Sequence, residues 1–178
     1  FSEFFQACKE DASCDAEYPN LEQFFFDLVA RMNERPIHLT LADDETGESY
    51  AAVMDGDTLV SALFQMLYAS ELIPLLPKMI HNVAEGRYAF LERIYSLLTF
   101  DRTMSYGMYF SVVCAEDGTV DPGYGYEGIR EQFSKDVEVE NESLVQLCNA
   151  WSVEQLGARA DEPVTSDIPT LVFNGRFD

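Results

Sequence analysis

LEQFFFDLVARM, residues 21–32, is the stretch on which the fold class turns. Leu21, Phe24, Phe25, Leu28, Val29 and Met32 recur at i, i+3 and i+4, the spacing that lines one face of a helix. Asn20 stands where an N-cap belongs, Gln23 follows three residues later as in a capping box, and Pro36 ends the pattern. Ahead of this segment, Ser2 to Glu10 reads as a short helix leading into a turn around Asp11 to Cys14. Behind it, Ile37 to Ala42 alternates, and Ser49 to Met54 suits as its partner across the polar turn Asp43-Asp44-Glu45-Thr46-Gly47. That pair predicts a β-hairpin.

Helical spacing then returns. Asp57 is predicted to cap a helix carrying Leu59, Val60, Leu63, Phe64, Leu67 and Tyr68. A further helix is predicted from Ser70, with Pro74 and Pro77 at first-turn or kinked positions and Gly86 at its end. Arg87 to Thr99 places Tyr88, Leu91, Ile94, Tyr95 and Leu98 on one face, and Asn141 to Trp151 is helical again. From Met104 to Cys114 the apolar density is too high for periodicity to separate helix from strand. Gly118 to Gly128 reads as a loop. The tail differs. Asp161 to Asp167 is polar and turn-like, and Ile168 to Phe173 is an apolar run closed by Asn174-Gly175, the profile of a strand buried on both faces of a parallel sheet. Such a strand needs neighbours for its backbone groups. The rest of the sequence offers no matching parallel set, and the chain opens at Phe1 without a Met, so the sequence reads as a piece of a larger protein.

The 178 residues carry 32 Asp and Glu against 11 Lys and Arg, a formal net charge of −21. That excess opposes binding to a nucleic-acid backbone or an anionic membrane surface, both of which need clustered cations. With 47% hydrophobic and 13% aromatic residues the chain has material for a core and does not read as disordered. No run approaches the ~20 apolar residues of a membrane span. No basic-then-apolar leader occurs at the start, so an exported parent would carry its signal upstream of Phe1.

The chemistry-bearing residues are few. Cys8, Cys14, Cys114 and Cys148 permit three disulfide pairings, and reduced buried thiols are the competing reading. A zinc site is disfavoured, because no Cys-x2-Cys pair exists and the two histidines, His38 and His81, stand alone. Both read as structural or solvent-facing. No Gly-x-Ser-x-Gly elbow is present; Thr103-Met104-Ser105-Tyr106-Gly107 lacks the first glycine. No phosphate-cradling glycine loop occurs, and no metal or cofactor is implied. Two acidic spots remain. Glu116 and Asp117 follow an apolar run and stand where buried structure would meet a cleft, although solvated loop acids are the simpler reading. Asp178 lies beyond the carboxyl end of the tail strand, the edge at which open α/β sheets gather functional groups.

Taken in order, Phe5-Gln6-Ala7-Cys8-Lys9-Glu10-Asp11-Ala12-Ser13-Cys14, Tyr18-Pro19-Asn20-Leu21, Val113-Cys114-Ala115-Glu116-Asp117, Cys148-Asn149-Ala150-Trp151 and Ser166 to Asp178 form an ordered set. The set resembles the secreted tripeptidyl aminopeptidase-like branch of the α/β-hydrolases, related to the prolyl aminopeptidases. The resemblance implies that residues 1–160 are a helical cap, or lid, inserted in a hydrolase core, and that residues 161–178 are a linker and the first returning core strand. The expected class is therefore mainly α with a small β-hairpin and one truncated core strand. Asp178 would be the acid of a Ser-Asp-His triad whose serine lies upstream of Phe1 and whose histidine lies downstream. The implied reaction is acyl transfer on a small peptide or ester, with Glu116, then Asp117, as candidate anchors for a substrate amine. It further implies export and the pairings Cys8–Cys14 and Cys114–Cys148. A free-standing acidic helical binding module is the alternative. In either case the tail run is expected to be prone to self-association.

Overall fold

The computed structural model describes residues 1–116, 131–157, 162–173 and 175, with residues 131–140 in backbone only. Among them are eight α-helices, one 3-10 turn and a two-stranded antiparallel sheet, so the chain is mainly helical with a small hairpin. Residues 1–101, together with the described residues from Leu171 onward, form one compact unit, and residues 102–170 form another.

The first unit is built around α3 (Leu21–Glu34), which buries Leu21, Phe25, Leu28, Val29 and Met32 along one stripe. Its main partner is α4 (Gly56–Leu67), whose buried Leu59, Leu63 and Met66 are fully inaccessible, as is Phe25. The two helices approach closely at Gly56. A Cβ there would lie 2.7 Å from the Val29 carbonyl carbon and overlap the Val29 oxygen, so only glycine fits. Just beyond, Asn33 Nδ2 donates to Asp57 Oδ1 at 2.7 Å while the Asp57 amide donates to Asn33 Oδ1 at 3.1 Å. Asp57 is therefore a bridge to α3 and not the cap that its position suggested. The cap is Asp55, whose Oδ1 accepts from the Thr58 amide at 2.8 Å and the Thr58 hydroxyl at 2.7 Å.

Two other sequence expectations shift in the same way. Asn20 does precede α3, but in the left-handed conformation (φ 53°) and without a side-chain cap bond. Gln23 turns along the helix and donates to Asp27 at 2.9 Å, so no capping box forms. The turn expected at Asp11 to Cys14 is a single residue. α1 (Ser2–Glu10) ends at Asp11, and the Asp11 carboxylate caps α2 (Ala12–Glu17) by accepting from the Ser13 and Cys14 amides at 3.0 and 2.8 Å.

The hairpin has the predicted bounds. β1 (Ile37–Ala42) pairs with β2 (Ser49–Met54), Leu39 opposite Ala52 and Leu41 opposite Tyr50. Leu39, Leu41 and Met54 are buried on one face. The turn is closed by the buried Asp43 carboxylate, which accepts from the Glu45 amide at 2.9 Å, and by Gly47 at φ 74°. Pro74 and Pro77 divide the next predicted helix into a 3-10 turn (Ile73–Leu75) and α5 (Leu76–Ala84), with Gly86 at φ 79° ending the segment. α6 (Ala89–Thr99) then packs on β1.

In the second unit the ambiguous apolar stretch is helical: α7 (Tyr106–Glu116) pairs with α8 (Glu131–Trp151), which contains the predicted 141–151 helix. The loop expected at 118–128 lies outside the described residues. The tail run forms no strand here, and the sheet neighbours it is expected to need are placed outside this sequence. Ile168, Leu171, Val172 and Phe173 carry no strand, and Ile168 is 75% and Phe173 85% exposed. No strand among the described residues pairs with this run, and an apolar sequence without ladder partners has nothing to hold it extended.

Replacing Gly56 with Ala should push α3 and α4 apart and destabilise the chain by ~1–3 kcal/mol, the cost of overpacking a filled contact. Urea denaturation would measure it, and an unchanged midpoint would refute the close-approach argument.

Candidate functional site

Of the acidic candidates the sequence offers, Glu116 is the one among the described residues, and it lies in the second unit. Glu116 is the last residue of α7 and is exposed. Two residues before it, Cys114 is fully buried and bonded to Cys148 of α8, with a Cα separation of 5.1 Å. The Leu156 amide donates to the Ala115 carbonyl at 2.8 Å, which fixes the chain after α8 against the end of α7. One helical turn earlier, Ser111 Oγ donates to the Gly107 carbonyl at 2.7 Å and accepts from the Trp151 indole N–H at 3.1 Å. The Trp151 ring lies 5.7 Å from that of Phe110. Glu116 thus stands at the carboxyl end of a helix pinned by one covalent and three non-covalent contacts. The helix dipole and the carboxylate there have the same sign, an arrangement that favours a cation such as an ammonium group.

Asp117 and Asp178 lie outside the described residues. Cys8 and Cys14 are bonded to each other across the Asp11 corner, with a Cα separation of 5.1 Å, and no cysteine is free. Two disulfides fit an extracellular protein. No described helix is long and apolar enough to cross a membrane.

A groove that the sequence did not signal runs between the disulfide-linked α1–α2 corner and the 73–78 segment. It encloses about 480 Å³, with Phe4, Glu17, Tyr18, Pro74, Leu75 and Lys78 in its wall. Behind Tyr18 lies His81, on α5. Its ring stacks on Phe24 with centroids 4.0 Å apart and planes 2° apart, and it meets Tyr18 at 5.0 Å. Its Nε2 is buried without a hydrogen-bond partner. Burial holds the imidazole below its ordinary pKa of 6.5, against the opposing pull of Glu85 and Glu17. Tyr18 donates to Glu17 at 2.8 Å, and burial together with that carboxylate raises the phenol. His81 is therefore a neutral packing residue. The missed signal is the set Tyr18, Phe24 and His81, which periodicity alone cannot bring together because they come from three separate segments.

His38 is an exposed strand residue, and among the described residues no hydrogen bond joins either histidine to a serine. Among the described residues no cluster of His, Cys, Asp and Glu could hold a metal ion. Comparison with protein-family profiles, curated proteins and solved structures gave no match.

Two outcomes check this geometry. The pair Cys114→Ser, Cys148→Ser should destabilise the second unit by ~3–4 kcal/mol, since it reopens a loop with sequence separation 34. A non-reducing peptide map should recover the Cys114 and Cys148 peptides joined; four free thiols would refute the pairing. Because the folded pKa of His81 is lowered, its stabilising contribution is complete above pH 6.5 and is lost as pH falls through the folded value. The melting temperature of the wild type, taken relative to His81→Phe, should therefore fall between pH 7.5 and pH 5. A constant difference would show that His81 titrates as it does when unfolded.

Proposed function

We propose that these 178 residues are the cap of a secreted serine hydrolase of the α/β-hydrolase type, acting as an aminopeptidase on short peptides. The observation that carries this reading is the bonded pair Cys114–Cys148, which anchors the helix end bearing Glu116 beside Trp151. The resemblance implied that pairing and that role together. Supporting it, α7 exposes Met108, Tyr109 and Val112, and the tail exposes Leu171, Val172 and Phe173. Both are apolar surfaces of the kind that a cap and a returning strand would present to a hydrolase core.

In this mechanism a serine outside the chain attacks the scissile carbonyl, and a histidine outside the chain takes its proton and passes it to the leaving amine. Asp178 orients that imidazole and stabilises its cation. Glu116 receives the free α-ammonium of the substrate, with Asp117 beside it in sequence, and so sets how far the peptide enters. The net charge of −21 raises the local concentration of such cationic substrates, though one amine needs far less. The second reading, an acidic binding module without catalysis, is favoured by the buried core that α3, α4 and the hairpin build within the first unit.

The pure 178-residue chain should not hydrolyse aminoacyl or peptidyl chromogenic substrates, because two triad members lie outside it; saturable turnover would overturn the assignment. In the intact parent, Asp178→Asn should lower kcat by about 10⁴. Glu116→Gln should raise KM for free-amine substrates about tenfold and leave N-acetylated ones unchanged, consistent with loss of a charge-assisted contact. Equal effects on both substrates would remove Glu116 from amine recognition.

A further inference from the structure

The hairpin has two edges, and they are treated differently. Along β1, the Thr40 amide donates to Glu92 Oε1 at 2.8 Å and the Ala42 amide to Ser96 Oγ at 3.0 Å, so α6 occupies that edge. These two residues therefore point away from β2, and the hydrogen-bonded pairs are Leu39 with Ala52 and Leu41 with Tyr50. The alternation leaves Ser49, Ala51 and Val53 with N–H and C=O groups directed outward from β2. All three are exposed, Val53 by 62%, and no hydrogen bond from the described residues reaches their backbone.

Edge strands of this kind are usually blunted by a charge, a proline or a bulge. β2 reads Ser-Tyr-Ala-Ala-Val-Met and contains none of them, in a chain that is 24% charged. Ser49, Ala51 and Ala52 are small, Met54 is buried, and Tyr50, 44% exposed, rests 5.4 Å from Phe100. An added strand would lay β-branched residues beside Ser49, Ala51 and Val53 on the exposed face. The strand is bracketed by acids: Glu48, whose carboxylate accepts from the Tyr50 hydroxyl, before it, and Asp55 and Asp57 after it.

We propose that β2 is a strand acceptor, and that its occupant is an extended segment of a cationic polypeptide, with uncharged β-branched residues flanked by Lys or Arg. The backbone of Ser49, Ala51 and Val53 supplies the ladder and the flanking carboxylates select the charge. A second copy fits less well, since it would bring another net charge of −21 and set Glu48 beside the partner strand's acidic end. The proposal uses no catalytic group and stands apart from the hydrolase reading.

The test uses the full 178-residue chain and the peptide acetyl-Lys-Val-Thr-Val-Thr-Lys-amide. On saturation, amide exchange at Ser49, Ala51 and Val53 should slow about tenfold or more, while Tyr50 and Ala52, already bonded to β1, should change little. A peptide N-methylated on the residues that face β2 should bind about tenfold more weakly, as loss of two ladder bonds requires. Ala51→Pro should do the same; the N-methyl peptide gives that answer without altering the protein. Replacing both lysines by Gln should weaken binding several-fold at low salt. Absence of saturable binding, equal affinity of the N-methyl or Gln peptide, or a peptide-free dimer in sedimentation with those amides already protected would each overturn the proposal.

Discussion

The close crossing of α3 and α4 at Gly56 is the constraint on which the first unit depends. With no side chain at that point the two backbones come close, and Phe25, Leu28 and Val29 of α3 and Leu59, Leu63 and Met66 of α4 are all buried. Everything else there is arranged around the contact. Asn33 and Asp57 tie the helices beside it, Asp55 starts α4 immediately after β2, and the hairpin is carried to the position where α6 can cover β1. A helix that began one residue later would move the glycine out of the crossing and put a side chain in its place.

That dependence explains which parts of the fold were legible in the sequence. The stripe of α3 and the alternation of β1 are local periodicities, and both appeared with their bounds intact. Caps were less legible because a cap is a choice among nearby acids, and the choice is made by tertiary partners. Asp57 reads as the cap, but Asn33, 24 residues earlier, holds its side chain, and Asp55 caps the helix instead. Gln23 looked like a capping-box member, yet a helix neighbour at Asp27 was nearer. α7 could not be read from periodicity, since its apolar residues are spread around the helix and several are exposed: Met108 by 68%, Val112 by 48%. Ile168 to Phe173 differs for the complementary reason: the run is not a strand in this chain, where the sheet it is expected to join is not present among the described residues. Apolar composition signals a buried strand only if a sheet is there to receive it.

Candidate site residues divide along the same line. The cysteine pairing followed from an ordered resemblance and is what the structure contains. The surroundings of Glu116 depend on Ser111, Trp151 and Leu156, which are brought together only by the α7–α8 contact and the bond across it. The groove beside Tyr18 and the open edge of β2 carried no motif at all. One is a space left between elements; the other is a set of backbone groups, and backbone groups are the same in every sequence.

The acidity of the chain also acquires a structure. Part of it is spent locally: Asp11 and Asp55 cap helices, Asp43 closes the hairpin turn, and Glu92 accepts from the edge of β1. Each carboxylate of this kind satisfies a backbone amide that would otherwise lack a partner, and so contributes to the fold wherever it stands. Such roles need only one or two acids per element end. The remaining negative charge opposes compaction by self-repulsion and therefore costs stability. Arg93 with Asp44, and Arg87 with Glu85, are exposed pairs, and pairs of that type return little. Part of that excess, at Glu116 and beside β2, is assigned by the two proposals above to partners that arrive positively charged.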